Sequence, residues 1–139
     1  MANFGFLKRN GAWQDQFIRA VVPAQVLIAT RTANIANATT VNVVDSAKTD
    51  ASGNFSTNGF SRITGHARSD AALTLKVYQG DNTTTLDYST SVAIPASAVA
   101  GAGGAFSVEV IGQYARVTIN NASGADTTAL NAAVYLRSM

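Results

Sequence analysis

From Leu73 the chain reads LTLKVYQ, with Leu73, Leu75 and Val77 on one side and Thr74, Lys76 and Tyr78 on the other. That is the period-two pattern of a half-buried strand. Similar segments cover 25–32, 39–44, 60–67, 72–79, 86–94, 105–111, 114–120 and 130–137. In 60–67, Ile63, Gly65 and Ala67 oppose Arg62, Thr64 and His66; in 105–111, Phe106, Val108 and Val110 point inward; in 130–137, Leu130, Ala132, Val134 and Leu136 do. In 39–44, Val41 and Val43 face one way and Thr40, Asn42 and Val44 the other. Helical periodicity is nearly missing.

Clusters of Gly, Asn, Asp and Ser separate the segments, as in TDASGNFSTNG and NNASGADTT. Connections as long as 49–59 suit crossings between sheets better than tight hairpins. The stretch PASAVAGAGGA reads as a loop with a single helical turn, because its run of Gly and Ala at 101–104 cannot sustain a helix. The fold class is therefore all-β, with about eight strands in a two-sheet antiparallel β-sandwich of jelly-roll type. Residues 21–139 form that one domain and residues 1–20 an extended N-terminal arm.

The arm has its own chemistry. Phe4, Phe6, Trp13 and Phe17 concentrate aromatic surface there, and Lys8, Arg9 and Arg19 make it basic. Such an arm either packs back on its own sandwich or reaches a neighbouring subunit, and these seven residues are the candidate protein interface. Residues 1–31 carry a formal charge of +3 and the remainder −1. That is too thin a cationic patch for direct nucleic-acid recognition.

Length and composition narrow the class further. A chain of 139 residues with 47% hydrophobic and only 13% charged residues is globular, and its weakly charged surface favours association into a homo-oligomer. Without cysteine there is neither a disulfide nor a thiolate metal site. The start, MANFGFLKRNGAW, lacks the apolar core of a signal peptide, and AVVPAQVLIA is too short to span a bilayer, so no membrane partner is expected.

Catalytic options are few, and the chain is expected not to be an enzyme and to need no cofactor. His66 is the single histidine and sits on an alternating strand, a surface-facing position; no second His or Cys is present to build a dyad or metal site. Glu109 is the single glutamate, and the aspartates at 45, 50, 70, 81, 87 and 126 fall mostly in turns, where Asp bonds backbone. Asp81 with Asn82, or Asp45 with Asp50, lacks EF-hand spacing for calcium. In GQYARVTINNAS, Arg116 reads as a solvent- or subunit-facing strand residue rather than a catalytic arginine.

The run GNFSTNGFSRITGHARSDAALTLKVYQGDN (53–82) and the run GGAFSVEVIGQYARVTINNASGADTTALNAAVYLRSM (103–139) together resemble the sandwich modules of tailed-bacteriophage virion proteins. The likeness lies in strand order and turn chemistry over about residues 53–139. It implies a structural role on the virion, made in the host cytoplasm: a capsid decoration protein that binds a preformed lattice. Its implied partners are further copies of itself, with a trimer favoured, and the major capsid protein or other virion subunits. The alternative is a carbohydrate- or receptor-binding sandwich of a tail, baseplate or fibre, for which Tyr78, Tyr88, Tyr114 and Tyr135 are the candidate contacts.

Overall fold

The computed structural model describes residues 25–44, 48–97 and 99–138. The strands are β1 (Gln25–Arg31), β2 (Thr39–Asn42), β3 (Phe55–Ser56), β4 (Arg62–Ser69), β5 (Leu73–Gly80), β6 (Tyr88–Ile94), β7 (Gly104–Glu109), β8 (Tyr114–Asn121) and β9 (Leu130–Arg137). They form two antiparallel sheets: a four-stranded sheet in the order β1-β9-β4-β7, and a five-stranded sheet in the order β2-β8-β5-β6 with β3 added on β8. Setting the two-residue β3 aside, the chain changes sheet at every connection except the β5–β6 hairpin. This is the winding of a jelly roll.

The core lies between the sheets and follows the alternation. Ile63, Ala67, Val134 and Leu136 from the four-stranded sheet meet Leu75, Val77, Val117 and Ile119 from the other, all buried. Burying each such Leu, Ile or Val contributes about 1.5–3 kcal/mol relative to exposure. One inward position on β4 is empty of side chain: Gly65 lies opposite Phe106, and a Cβ there would collide with that ring and with the Ala133 carbonyl. The missing side chain lets Phe106 lie across the strand.

Two inward features break the period. In β1, Leu27 pairs with Tyr135 and Ala29 with Val134, so Ile28 is an extra residue in a β-bulge, and Ile28 and Ala29 are both buried. Lys48 Nζ donates a 2.7 Å hydrogen bond to the Ile28 carbonyl. In β2 the ladder ends at Asn42, earlier than the alternation through Val44 predicts. Val43 N still donates to the Val117 carbonyl at 2.9 Å, and Val43 and Val44 are both buried, so the period-two alternation does not continue past Asn42.

Loops at one end of the sandwich close over a buried polar network. Asn121, fully buried, donates to the Ile35 and Ala125 carbonyls at 3.0 and 2.9 Å and accepts from the Ser123 hydroxyl at 2.8 Å. Thr127 Oγ1 accepts from Ile35 N at 2.8 Å. The Asn, Ser, Asp and Thr of NNASGADTT thus satisfy backbone groups that no strand can reach. Beside it, Asp70 accepts from Thr128 N, Thr128 Oγ1 and Ala129 N at 2.9, 2.6 and 3.1 Å, tying the β4–β5 turn to the start of β9.

The segment after Pro95 contains no helical residue among those described. Instead of the predicted helical turn, Ala102 N donates to the Val99 carbonyl at 3.2 Å, with Gly101 at φ +88°. The β3 strand was not expected either; Phe55 and Ser56 pair with Ala115 and Tyr114. The arm residues Phe4, Phe6, Lys8, Arg9, Trp13, Phe17 and Arg19 lie outside the described residues.

Candidate functional site

Antiparallel register fixes which polar residues share the outer face of the five-stranded sheet. Thr40, Asn120, Thr74 and Ala93 form one row across β2, β8, β5 and β6; Asn42, Thr118, Lys76 and Ser91 form the next. In the third row Arg116 lies opposite Tyr78, which lies opposite Ser89. The outward strand positions include two cations and, among the described residues, no carboxylate.

Tyr78 is flanked by both cations. The Arg116 guanidinium carbon is 4.8 Å from the ring centroid and Lys76 Nζ is 5.2 Å away, within cation–π range. Arg116 Nη1 also reaches the Ser52 carbonyl and Asn54 Oδ1 at 3.4 and 3.5 Å, both long contacts. Among the described residues, the Lys76 ammonium has the Tyr78 ring as its only partner. Beside these groups is an open depression of about 310 Å³ lined by Thr40, Thr74, Ser91, Thr118 and Asn120 as well as Lys76 and Tyr78. Asn120 Nδ2 donates to Thr40 Oγ1 at 2.8 Å on its floor.

The loop that Arg116 touches is itself held by an aspartate. Asp50 accepts from Ser52 N at 2.8 Å and Asn54 N at 3.0 Å. Foremost the Asn54 N–H, then those of Ser52 and Gly53 and the Asn54 amide, hold the Asp50 carboxyl below its usual range, against a smaller opposing effect of burial. Asn54 Nδ2 donates to the Thr83 carbonyl at 2.7 Å, so the loop is anchored to the β5–β6 turn as well.

The other candidates are dispersed. Tyr114 shares the outer face with Tyr78, whereas Tyr135 lies on the opposite sheet, 6.5 Å from the His66 ring, and Tyr88 is 48% exposed at the start of β6. The structure therefore does not gather the four tyrosines into one surface. Exposed His66 lines a depression of about 410 Å³ with Arg68, Gly103 and Asn131. Glu109 faces out opposite Arg62, whose guanidinium donates to Ser107 Oγ at 2.7 Å. Asp45 lies outside the described residues; Asn82 Oδ1 accepts from Thr84 N and Thr85 N, the bonding of a turn. No group of three or more His, Cys, Asp or Glu side chains that could hold a metal occurs among the described residues.

The edges of the four-stranded sheet are different in kind. Among the described residues β1 is an outer strand, and Val26 and Leu27 on it are 38% and 47% exposed. With Ile28 O engaged by Lys48, residues 25–27 form an uncharged stretch of this edge among the described residues.

No protein family matches this chain, and no curated protein matches it in sequence. Two solved structures are similar to it at low identity. One is a Bacillus endospore appendage protein of a family of disulfide-linked pili: 18% identical, TM-score 0.41, covering 84% of this chain and 90% of that one. The other is a family 6 carbohydrate-binding module: 13% identical, TM-score 0.39, covering 85% and 84%. Both likenesses are too low to bear on function, and this chain has no cysteine with which to form a disulfide link.

Proposed function

We propose that this chain is a non-catalytic structural subunit of a virion surface, a capsid decoration protein that binds a preformed lattice and contacts neighbouring copies through its N-terminal arm. The observation that carries this reading is the apolar edge at Val26 and Leu27, outermost among the described residues and close in sequence to the segment read as an arm. An edge strand offers unpaired backbone groups, and exposed apolar side chains on it favour pairing with another chain. The 20 residues of the arm span up to roughly 70 Å when extended, while an eight-residue strand is roughly 27 Å long. The arm is long enough to reach a second subunit, and the resemblance of 53–139 to phage sandwich modules supplies the virion setting.

The reading is tested by particle composition. Mass spectrometry of purified particles should find the chain in the virion, and the isolated protein should bind particles stripped of it. Absence from particles overturns the virion setting. Deleting residues 1–20 should lower both particle affinity and the solution mass; unchanged values for both would overturn the role of the arm.

A further inference from the structure

We propose that the outer face of the five-stranded sheet, at Lys76, Tyr78 and Arg116, binds an acidic polysaccharide. The inference does not depend on the virion reading. Its first ground is charge: two cations project from adjacent strands in adjacent rows, and no carboxylate shares those outward strand positions among the described residues. A sugar carboxylate would take charge-assisted hydrogen bonds from both. The Lys76 ammonium keeps its donor capacity, and Arg116 spends one nitrogen on long contacts out of a fork of five N–H donors.

The second ground is the surroundings of those cations. Thr40, Thr74, Ser91, Thr118 and Asn120 line the depression with groups that both donate and accept, which suits a chain of hydroxyls. They stand on paired strands, so their spacing is fixed before any ligand arrives, and preorganisation lowers the cost of binding. Tyr78 contributes by holding both cations near its ring, which keeps their long side chains from sampling other positions.

Nucleic acid is the competing polyanion, and the face is poorly suited to it. Single-strand binders stack bases on open aromatic faces along a dense basic groove. Here the ring is engaged by its own cations, and two charges support only a shallow salt dependence.

The test is calorimetric titration of the full chain with hexameric oligogalacturonate, with maltohexaose and a thymidine hexanucleotide as comparison probes. Oligogalacturonate should bind, maltohexaose should bind more weakly, and the K76Q/R116Q variant should lose about tenfold or more in affinity. The charge-conserving K76R/R116K variant should keep most of it, and R62Q/R137Q on the opposite sheet all of it; far-ultraviolet circular dichroism checks that each variant is folded. No binding of oligogalacturonate, equal binding of maltohexaose, an unaffected K76Q/R116Q variant or tighter binding of the hexanucleotide would each overturn the proposal. Particle binding by K76Q/R116Q should be unchanged, which separates this site from the assembly role.

Discussion

Arg116 stands directly across the ladder from Tyr78, its guanidinium carbon 4.8 Å from the ring centroid. The pair joins β5 to β8 on the solvent side, while Val77 and Val117 do so on the core side. A double-mutant cycle built from Arg116→Gln and Tyr78→Leu, read by urea unfolding, should give a coupling of about 0.5–1 kcal/mol. A coupling indistinguishable from zero would mean that the two side chains merely lie close.

Gln79 sits at an inward position of β5, 1% exposed, where its amide donates to the Glu109 carbonyl at 2.9 Å and accepts from Ile111 N at 2.8 Å. Replacing it with leucine leaves two backbone groups without that partner. Gln79→Leu should lose about 1–3 kcal/mol of stability, despite the more apolar side chain. Equal or greater stability would show that water replaces the amide at no cost.

How far each of these residues was legible in sequence differs for a physical reason. Inward and outward positions on β4, β5, β7 and β9 follow from alternation alone, and Gln79 lies on the inward parity of Leu73, Leu75 and Val77. Pairing does not follow, since Tyr78 and Arg116 become neighbours only through a ladder between distant segments. Two residues cannot display a period, so β3 was hidden, and the joint burial of Val43 and Val44 breaks the alternation from which the end of β2 was read. The turn role of aspartate was legible because it is local chemistry, as Asp50 illustrates. The partner loop that Asp70 ties down, 58 residues away, was not.

Asp70 gives the fold an acid-sensitive fastening. The Thr128 hydroxyl first, then the Thr128 and Ala129 N–H groups, lower its pKa from 3.8 to about 2. A depressed carboxylate pKa stabilises the folded state above the unfolded value, and that contribution fades as pH falls from about 4 to about 2. Acid unfolding curves of the wild type and Asp70→Asn should therefore differ most near neutral pH and converge towards pH 2. A difference that persists undiminished at pH 2 would assign the effect to packing.

Gly65 leaves room for Phe106. Gly65→Ala places a methyl group against that ring and the Ala133 carbonyl and should cost about 1–3 kcal/mol, seen as a lower urea midpoint. An unchanged midpoint would mean that β9 and the ring yield easily.

At the outer edge, Leu27→Lys puts a charge on an exposed position and should leave the monomer fold intact. Light scattering should then report a smaller solution mass than for the wild type. An undiminished mass would locate the contact between copies elsewhere.

The register of β1 on β9 pairs Gln25 with Arg137, so the first and last strands of the jelly roll meet at one corner. A fluorophore on residue 138 would therefore stand next to Gln25 and report a partner that docks at this corner, whereas a bulky fusion at the same place would obstruct it. An affinity tag intended only for purification could then decide whether the protein is seen alone or assembled, and its placement belongs among the experimental variables.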